Sequence, residues 1–458
     1  MPLLSCFKEI ISEWKTVFPK SPSYLRASSL AIASLCTFGR ACISRSICFL
    51  GLENQDWSAQ YKLFSRSKWD PRHLFKPIFS KALEHIDEPY VAIAFDDTKL
   101  KKTGKKIKTA FYQKDPLSPP FCINLMFGLR FLQGALLMPM YRKNGQPPRS
   151  LPIAFKEVPA VKKPGKRASA EEIKLYKKKI KEINLSIAFV KTLKEVREDL
   201  TEAGGKDKPI IAVVDGSFCN RTCMRADIDN TNIVARCRKD AKLCFRATGK
   251  GRKIYQEKKF TPEEVRKNEE VPWKTMSIYH GGKWREVRIK EVNEVLWQRG
   301  TKDRPLKMVV IAPTPYRLTK KGRLNYRQPA YLLSQSIDLP TETLIQKYFD
   351  RWQIEVNHRE EKDTLGVGQA QVRSEQSVER QPALVVAAYS ALLLSGIKCF
   401  EDKRTKAFIS LPKWRRNSKR PSCLDLVHLL RKELAGESRA GPPGTQVDLT
   451  SAALKSVA

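Results

Sequence analysis

Apolar and polar positions follow different periods along the chain, and the changes of period mark its elements. From residue 1 to about 85 apolar residues recur at helical spacing, as in "SSLAIASLCTFGRACISRSICFLGL" and "DWSAQYKLFSRSKWD", which predicts a run of amphipathic helices. "YVAIAF" then reads as a short buried strand ending on Asp96-Asp97-Thr98. "CINLMFGLRFL" and "GALLMPMYR" read as two further strands with short connections, which suits antiparallel pairing. "KRASAEEIKLYKKKIKEINLSIAFVKTLKEVREDL" predicts one long helix with a lysine-rich outer face. It leads into "KPIIAVVDGSF", an apolar strand of the kind found inside α/β sheets, ending on Asp215. "NIVARCRKDAKLCF" is a strand pair or one long strand. Between 247 and 330 the pattern alternates as in strands, with "KWREVRIKEVNEVLWQRG" and "RPLKMVVIAPTP".

The strand "PAYLLSQS" precedes a helix holding "YFDRWQIEVNHREEK", and "ALVVAAYSALLLSGI" follows as a core helix. The basic stretch "LPKWRRNSKRP", the helix "SCLDLVHLLRKELA" and a tail with "AGPPGTQ", read as disordered, complete the pattern. The expected domains are a helical DNA-binding region over 1–85, an α/β core over 86–246 and 331–400, a β-rich insertion over 247–330 and a basic helical segment with the tail over 401–458. Two helices around Gly51, with Arg40, Arg45, Lys62, Arg66 and Lys68 exposed, resemble a helix-turn-helix, a pattern that a plain helical bundle shares.

Charge narrows the partner. Lys and Arg number 85 against 48 acidic residues, a formal net charge of +37 over 458 residues. Self-repulsion of that size suits a polyanionic partner better than a small metabolite, so nucleic acid leads and an anionic membrane follows at a distance. An acid and a tryptophan come too early in "MPLLSCFKEIISEWK" for a secretory leader, so a cytoplasmic, nucleoid-associated location is expected. Cys219, Cys223, Cys237 and Cys244 could be drawn as a zinc site, but their spacing fits no common zinc pattern and core packing is the better reading.

At about 100° per residue, Tyr348, Arg351, Glu355, His358 and Lys362 share one face of the 348–362 helix, with Phe349, Trp352 and Val356 on a separate apolar flank. A solvated face held by charge pairs gives a similar pattern. Yet an acid among cations and a phenol can bind a metal through the acid and phosphates through the rest. Three acids stand at comparable places: Asp97 and Asp215 at strand ends and Glu355 on the helix. Carboxylates converging from separate elements are what a two-metal site for phosphodiester chemistry requires.

These residues carry a resemblance. Tyr348-x2-Arg351-x3-Glu355-x6-Lys362 resembles the Y-(2)-R-(3)-E-(6)-K signature of the DDE transposases of bacterial cut-and-paste insertion sequences. "FDDT" resembles that family's first-acid motif, which points to Asp97, and "VVDGSF" resembles its second. The resemblance implies an α/β, ribonuclease H-like core with an all-β insertion and an N-terminal helical DNA-binding region. It implies that Asp97, Asp215 and Glu355 ligate two Mg2+ ions, with Mn2+ able to substitute. Tyr348, Arg351 and Lys362 would hold phosphates. His358 reads equally as a further phosphate contact or an incidental surface histidine, and Lys101 and Lys102 are expected as further DNA contacts. A tryptophan of the insertion would receive a flipped base, with Trp297 chosen over Trp273 and Trp284, although each reads equally as packing between strands. The implied activity is binding of terminal inverted repeats, cleavage at the transposon ends and joining of the 3′-hydroxyls to target DNA, by a homodimer on paired ends. Trp414, Arg415 and Arg416 are expected near the paired-end contact. A structure-specific nuclease on the same fold and a catalytically silent DNA-binding descendant are the alternatives.

Overall fold

The apolar runs that end on acids become neighbouring strands at the centre of a mixed α/β fold. A computed structural model describes residues 1–119, 121–140, 148–248, 252–319, 321–415 and 418–439. Among these a ten-stranded sheet organises the chain. β1 (Val91–Lys101) runs antiparallel to β3 (Leu125–Met138), whose far side carries β2 (Phe111–Lys114) and β4 (Arg149–Glu157). On the other side of β1, β5 (Ile210–Val214) and then β6 (Thr231–Arg236) continue in parallel. Every residue of β5 is buried, as its unbroken apolar run requires of a central parallel strand.

Beyond β6 the sheet turns antiparallel through β12 (Ala330–Ser334), β9 (Pro305–Ile311), β8 (Lys283–Leu296) and β7 (Lys274–His280). The strands read between 247 and 330 therefore extend the central sheet edge-on, while β10 (Pro315–Arg317) and β11 (Leu324–Tyr326) form a separate hairpin.

Two local expectations are corrected. The two strands read in 122–142 are one continuous strand, β3. Its glycines mark close approach and not turns: a Cβ on Gly128 would lie 2.4 Å from the Leu100 carbonyl oxygen, and one on Gly134 2.8 Å from the Phe95 ring. The single long helix is two, α6 (Ala170–Glu182) and α7 (Leu185–Glu202), because Asn184 caps α7 by accepting from the Ile187 N–H at 3.0 Å.

Helices cover both faces. α1 (Leu3–Ser12), α2 (Ser21–Cys36), α3 (Ile43–Phe49), α4 (Ser58–Ser65) and α5 (Arg72–Leu83) share one core with the long apolar helix Glu375–Phe400 and with one face of the sheet. That long helix has the length and apolarity to cross a membrane, but 83% of its most apolar window is buried inside the protein. The Leu3 and Leu4 N–H groups donate to the Glu433 carboxylate at 3.2 and 2.7 Å, tying α1 to the last helix, Cys423–Arg439. Arg40, Arg45, Lys62, Arg66 and Lys68 lie exposed. The tail with "AGPPGTQ", and Arg416, fall outside the described residues.

The opposite face of the sheet carries a smaller core, into which Thr341–Asp350 inserts Leu344 and Ile345 and the next turns insert Ile354. Trp352, expected on the apolar flank, is instead 57% exposed.

Candidate active site

β1 and β5 are in parallel register, with Ala94 opposite Val213 and Phe95 opposite Val214. Side chains alternate between faces along each strand. Val91, Ile93 and Phe95 enter the larger core together with Ile210, Ala212 and Val214. Ala92 and Ala94 enter the smaller core with Ile211 and Val213. By the same alternation Asp96 and Asp215, each following its run, lie side by side on the smaller-core face, where the 341–359 helical segment packs.

Arg351 ties that segment to them. One guanidinium nitrogen lies 3.5 Å from Asp96 Oδ2, and another donates to Glu355 Oε1 at 3.2 Å. Here the helix tightens: the Trp352, Ile354 and Glu355 N–H groups each bond to a carbonyl three residues back. Arg351 and Glu355 are thereby held on the strand ends. Asp215 accepts from the Ser217 N–H at 2.8 Å and from its hydroxyl at 3.2 Å, which fixes the first turn after β5.

Asp97 points to the other face, where its Oδ2 is 3.1 Å from Arg130 Nε. Strand parity thus sets Asp96 beside Asp215, while Asp97, expected as the first acid of the set, leaves the strand on the other side but still feels the charges of Asp215 and Lys362. Aligning the ends of the two runs, "VAIAF" then Asp96 and "IIAVV" then Asp215, would have found that pairing. Gln133, opposite Asp96 in β3, is fully buried beside the site.

Crowding of acids perturbs them. Burial pushes the Asp96 carboxyl up to about 7; Arg351 opposes this, and the Asp215 and Asp97 charges add to it. Burial also raises Asp97 against the pull of Arg130 and Lys99, and raises Glu355 against that of Arg351, with the Asp215 charge adding in both. Lys362 is held below the usual lysine range by burial, while Glu361, Asp363, Asp96 and Asp97 pull it back up. The charges of Asp96 and Asp97 are thus felt by Lys362 on the next turn.

That turn is a π-helical segment, Glu360–Thr364, in which the Leu365 N–H reaches back five residues to the Glu360 carbonyl. Gly366 and Gly368 follow at φ +63° and +98°; a Cβ on Gly366 would lie 2.6 Å from the Ala41 Cβ. Lys102, expected at DNA, is 3% exposed and donates to the Gly368 and Ala370 carbonyls at 2.7 Å each. It fastens this loop to the end of β1, whereas Lys101 next to it is exposed.

The remaining expectations divide. Tyr348 is half-buried against the smaller core, its ring 6.0 Å from that of Phe349. His358, expected at phosphate, is 9% exposed, and burial pulls its imidazole down to about 3, with Lys362 and Arg351 adding to the effect. Trp297 is half-buried and packs over the backbone of Gly300, where a Cβ would lie 1.9 Å from its ring. Trp273 lies against Arg288 and Lys290, at 5.1 and 4.8 Å, while Trp284 is 55% exposed and edge-on to Tyr279. Cys223, Cys237 and Cys244 are buried, and burial pushes the Cys219 and Cys223 thiols up to about 12 and 11. Trp414 is 88% exposed beside Arg415.

No protein-family model and no curated protein matches the chain.

Sequence reasoning missed Asp96 and Arg130. It also missed the buried pair beneath the helix, where Lys347 donates to both Glu88 oxygens at 3.1 and 3.0 Å. The "FDD" doublet signalled the first of these; nothing local signalled the others.

As for metal, among the described residues no three acids, histidines or cysteines close on one point, and Arg351 stands between Asp96 and Glu355. The donors nonetheless fit a hard divalent ion. They are carboxylate oxygens from three elements, and the burial that raises Asp96, to which the Asp215 charge adds, is a cost that such an ion offsets.

Proposed function

We propose that the chain is a DDE transposase that binds terminal inverted repeats, cleaves DNA at the transposon ends and joins the freed 3′-hydroxyls to target DNA. The observation that carries the reading is that Asp96 and Asp215 end neighbouring strands on one face of the sheet, where Arg351 links Asp96 to Glu355. The strand order supports it: β4, β3 and β1 antiparallel, then β5 and β6 parallel to β1, is the arrangement expected of a ribonuclease H-like core. The strands between Asp215 and Glu355 take the place of the β-rich insertion implied by the resemblance.

In this reading Asp96, Asp215 and Glu355 would hold two Mg2+ ions, which when bound would supply Lewis acidity and an activated water for in-line attack. Arg351 neutralises Asp96 and Glu355 until DNA arrives, then offers its guanidinium to phosphate, for which its planar fork is suited. Lys362, drawn toward the same acids, adds a second cation at the scissile phosphate. Tyr348 stands one helical turn before Arg351 and positions the strand. The acting species is a dimer on two paired ends in the cytoplasm, with Trp414 and Arg415 near the contact.

A strand-transfer assay with pre-cleaved ends tests this. Joined products in Mg2+ are expected. Cutting without joining would favour a structure-specific nuclease, and binding without either would favour a silent descendant.

A further inference from the structure

The β2–β3 hairpin lies outside the acid cluster. The polar side chains of its turn, half-buried or exposed, bond back to its own backbone. Asp115 caps the Leu117 N–H at 2.9 Å, and the Ser118 hydroxyl accepts from the Asn124 N–H at 3.0 Å while donating to its carbonyl at 3.3 Å. The Asp115 N–H bonds to the Asn124 carbonyl at 2.9 Å, and Pro116 and Pro119 stiffen the turn. The apolar side chains face water: Leu117 is 90% exposed, Phe121 91%, Ile123 66% and Tyr112 70%. An ordered tip built to present leucine and phenylalanine is shaped for contact.

Charge selects the partner. Exposed Lys101 lies opposite Gly128 at the base of the hairpin and exposed Lys114 at the turn end of β2, with exposed Lys105 and Lys106 in the loop between β1 and β2; the Lys99 ammonium donates to the Lys114 carbonyl at 2.6 Å. A second copy of this chain would bring the same lysines against them. A polyanion with an apolar interior suits both features, and duplex DNA has phosphates outside and stacked bases within.

The geometry points to the hairpin tip as a wedge: we propose that Leu117 and Phe121 insert between base pairs of duplex DNA whose backbone the surrounding lysines hold. Leu132, opposite Asp97 in β3, and Leu125, at the hairpin end, are seven residues apart on one strand. At about 3.3 Å per residue the tip stands roughly 20–25 Å from the acids. One DNA molecule spans that distance in about seven base pairs, at ~3.4 Å each. Apolar side chains inserted at a base step unstack it and bend the duplex, which here would distort the DNA about seven base pairs from the acids. The inference rests on the transposase reading insofar as it relates the wedge to a cleavage point.

The test compares the full chain with Leu117→Ser/Phe121→Ser and with Lys101→Ala/Lys114→Ala, on a fully paired 40-base-pair duplex and on the same sequence with one single-base bulge. The parent is expected to bind the bulged duplex about tenfold more tightly, because the unstacking cost is already met. Permanganate should also mark unstacked thymines in the paired duplex. The serine variant should lose both the preference and the marking while keeping the parent's melting temperature. The lysine variant should weaken binding to both duplexes alike. A serine variant that kept the preference and the marking would overturn the wedge. So would a serine change that converted a dimer to a monomer without altering DNA binding, or that removed binding to anionic vesicles alone. If the parent binds duplexes with the expected preference yet neither cuts nor joins DNA in Mg2+, the transposase reading fails and the wedge stands.

Discussion

Along β1, Asp96 and Asp97 leave the strand in opposite directions, and so do Lys101 and Lys102 at its end. Asp96 meets Arg351, Asp215 and the helical segment that carries Glu355, while Asp97 meets Arg130. Lys101 faces water, while Lys102 is buried against the loop that follows the π-helical turn. The face behind Asp97 rests on a large apolar core; the face of Asp96 rests on a smaller one threaded with charged and titratable groups. Residue type says little about role here. The direction a side chain takes from the strand decides whether the same chemistry meets a cation, water or buried carbonyls.

The sharpest way to break this comparison is to exchange the neighbours. Asp96→Asn should abolish metal-dependent cleavage, whereas Asp97→Asn should slow it about 10–100-fold, as loss of a supporting partner does. Single-turnover cleavage on one substrate would decide, and the reverse order would return the first acid to Asp97. Next in size is the buried ion pair under the Asp96 face. Lys347 and Glu88 have side chains only 1% and 4% exposed, so Lys347→Met leaves a buried carboxylate unpaired. It should lower stability by about 3–5 kcal/mol in urea unfolding, and Glu88→Gln in the same chain should restore part of that.

His358 gives the same face a dependence on pH. Its folded value near 3 lies below the ordinary 6.5, so below about pH 6.5 the unfolded chain binds a proton that the folded chain refuses. Stability is complete above that pH and is lost as pH falls toward 3. At pH 5 the loss is about 2 kcal/mol. A His358→Gln variant should lack this fraction of the acid destabilisation when the unfolding curves at pH 7 and pH 5 are compared.

The smallest effects come from the lysine pair. Lys102→Met leaves the Gly368 and Ala370 carbonyls without their donor and should cost about 1–3 kcal/mol, with the salt dependence of DNA binding unchanged. Lys101→Ala should leave stability alone and reduce the slope of log K against log salt by about one phosphate contact. Equal slopes for Lys101→Ala and the parent would take Lys101 off the DNA.

Sequence patterning exposed the apolar strands ending on acids, the helix bearing Glu355 and the buried helix 375–400, because period and hydrophobicity are local. What escaped it depends on distant pairing. Choosing between Asp96 and Asp97 needs the register of β1 against a strand more than a hundred residues away. Lys102 reads as a basic loop residue until the carbonyls 266 and 268 positions later are found beside it. In β3, Gly128 and Gly134 look like turn signals, and only the neighbouring strand reveals that they make room for it. The break between α6 and α7 was within reach, since Asn184 is a capping residue in plain view.

The wide separation of the acids along the chain also gives the site a place in time. At about 5–20 residues per second of synthesis, the roughly 140 residues from Asp215 to Glu355 take ~7–28 s to emerge from the ribosome. Through that interval the nascent protein holds two aspartates on adjacent strands, but the helical segment that supplies Glu355 and Arg351 does not yet exist. A chain interrupted there would lack both Glu355 and the Arg351 link from it to Asp96, so under the proposed transposase reading it would have no complete acid set with which to cut DNA.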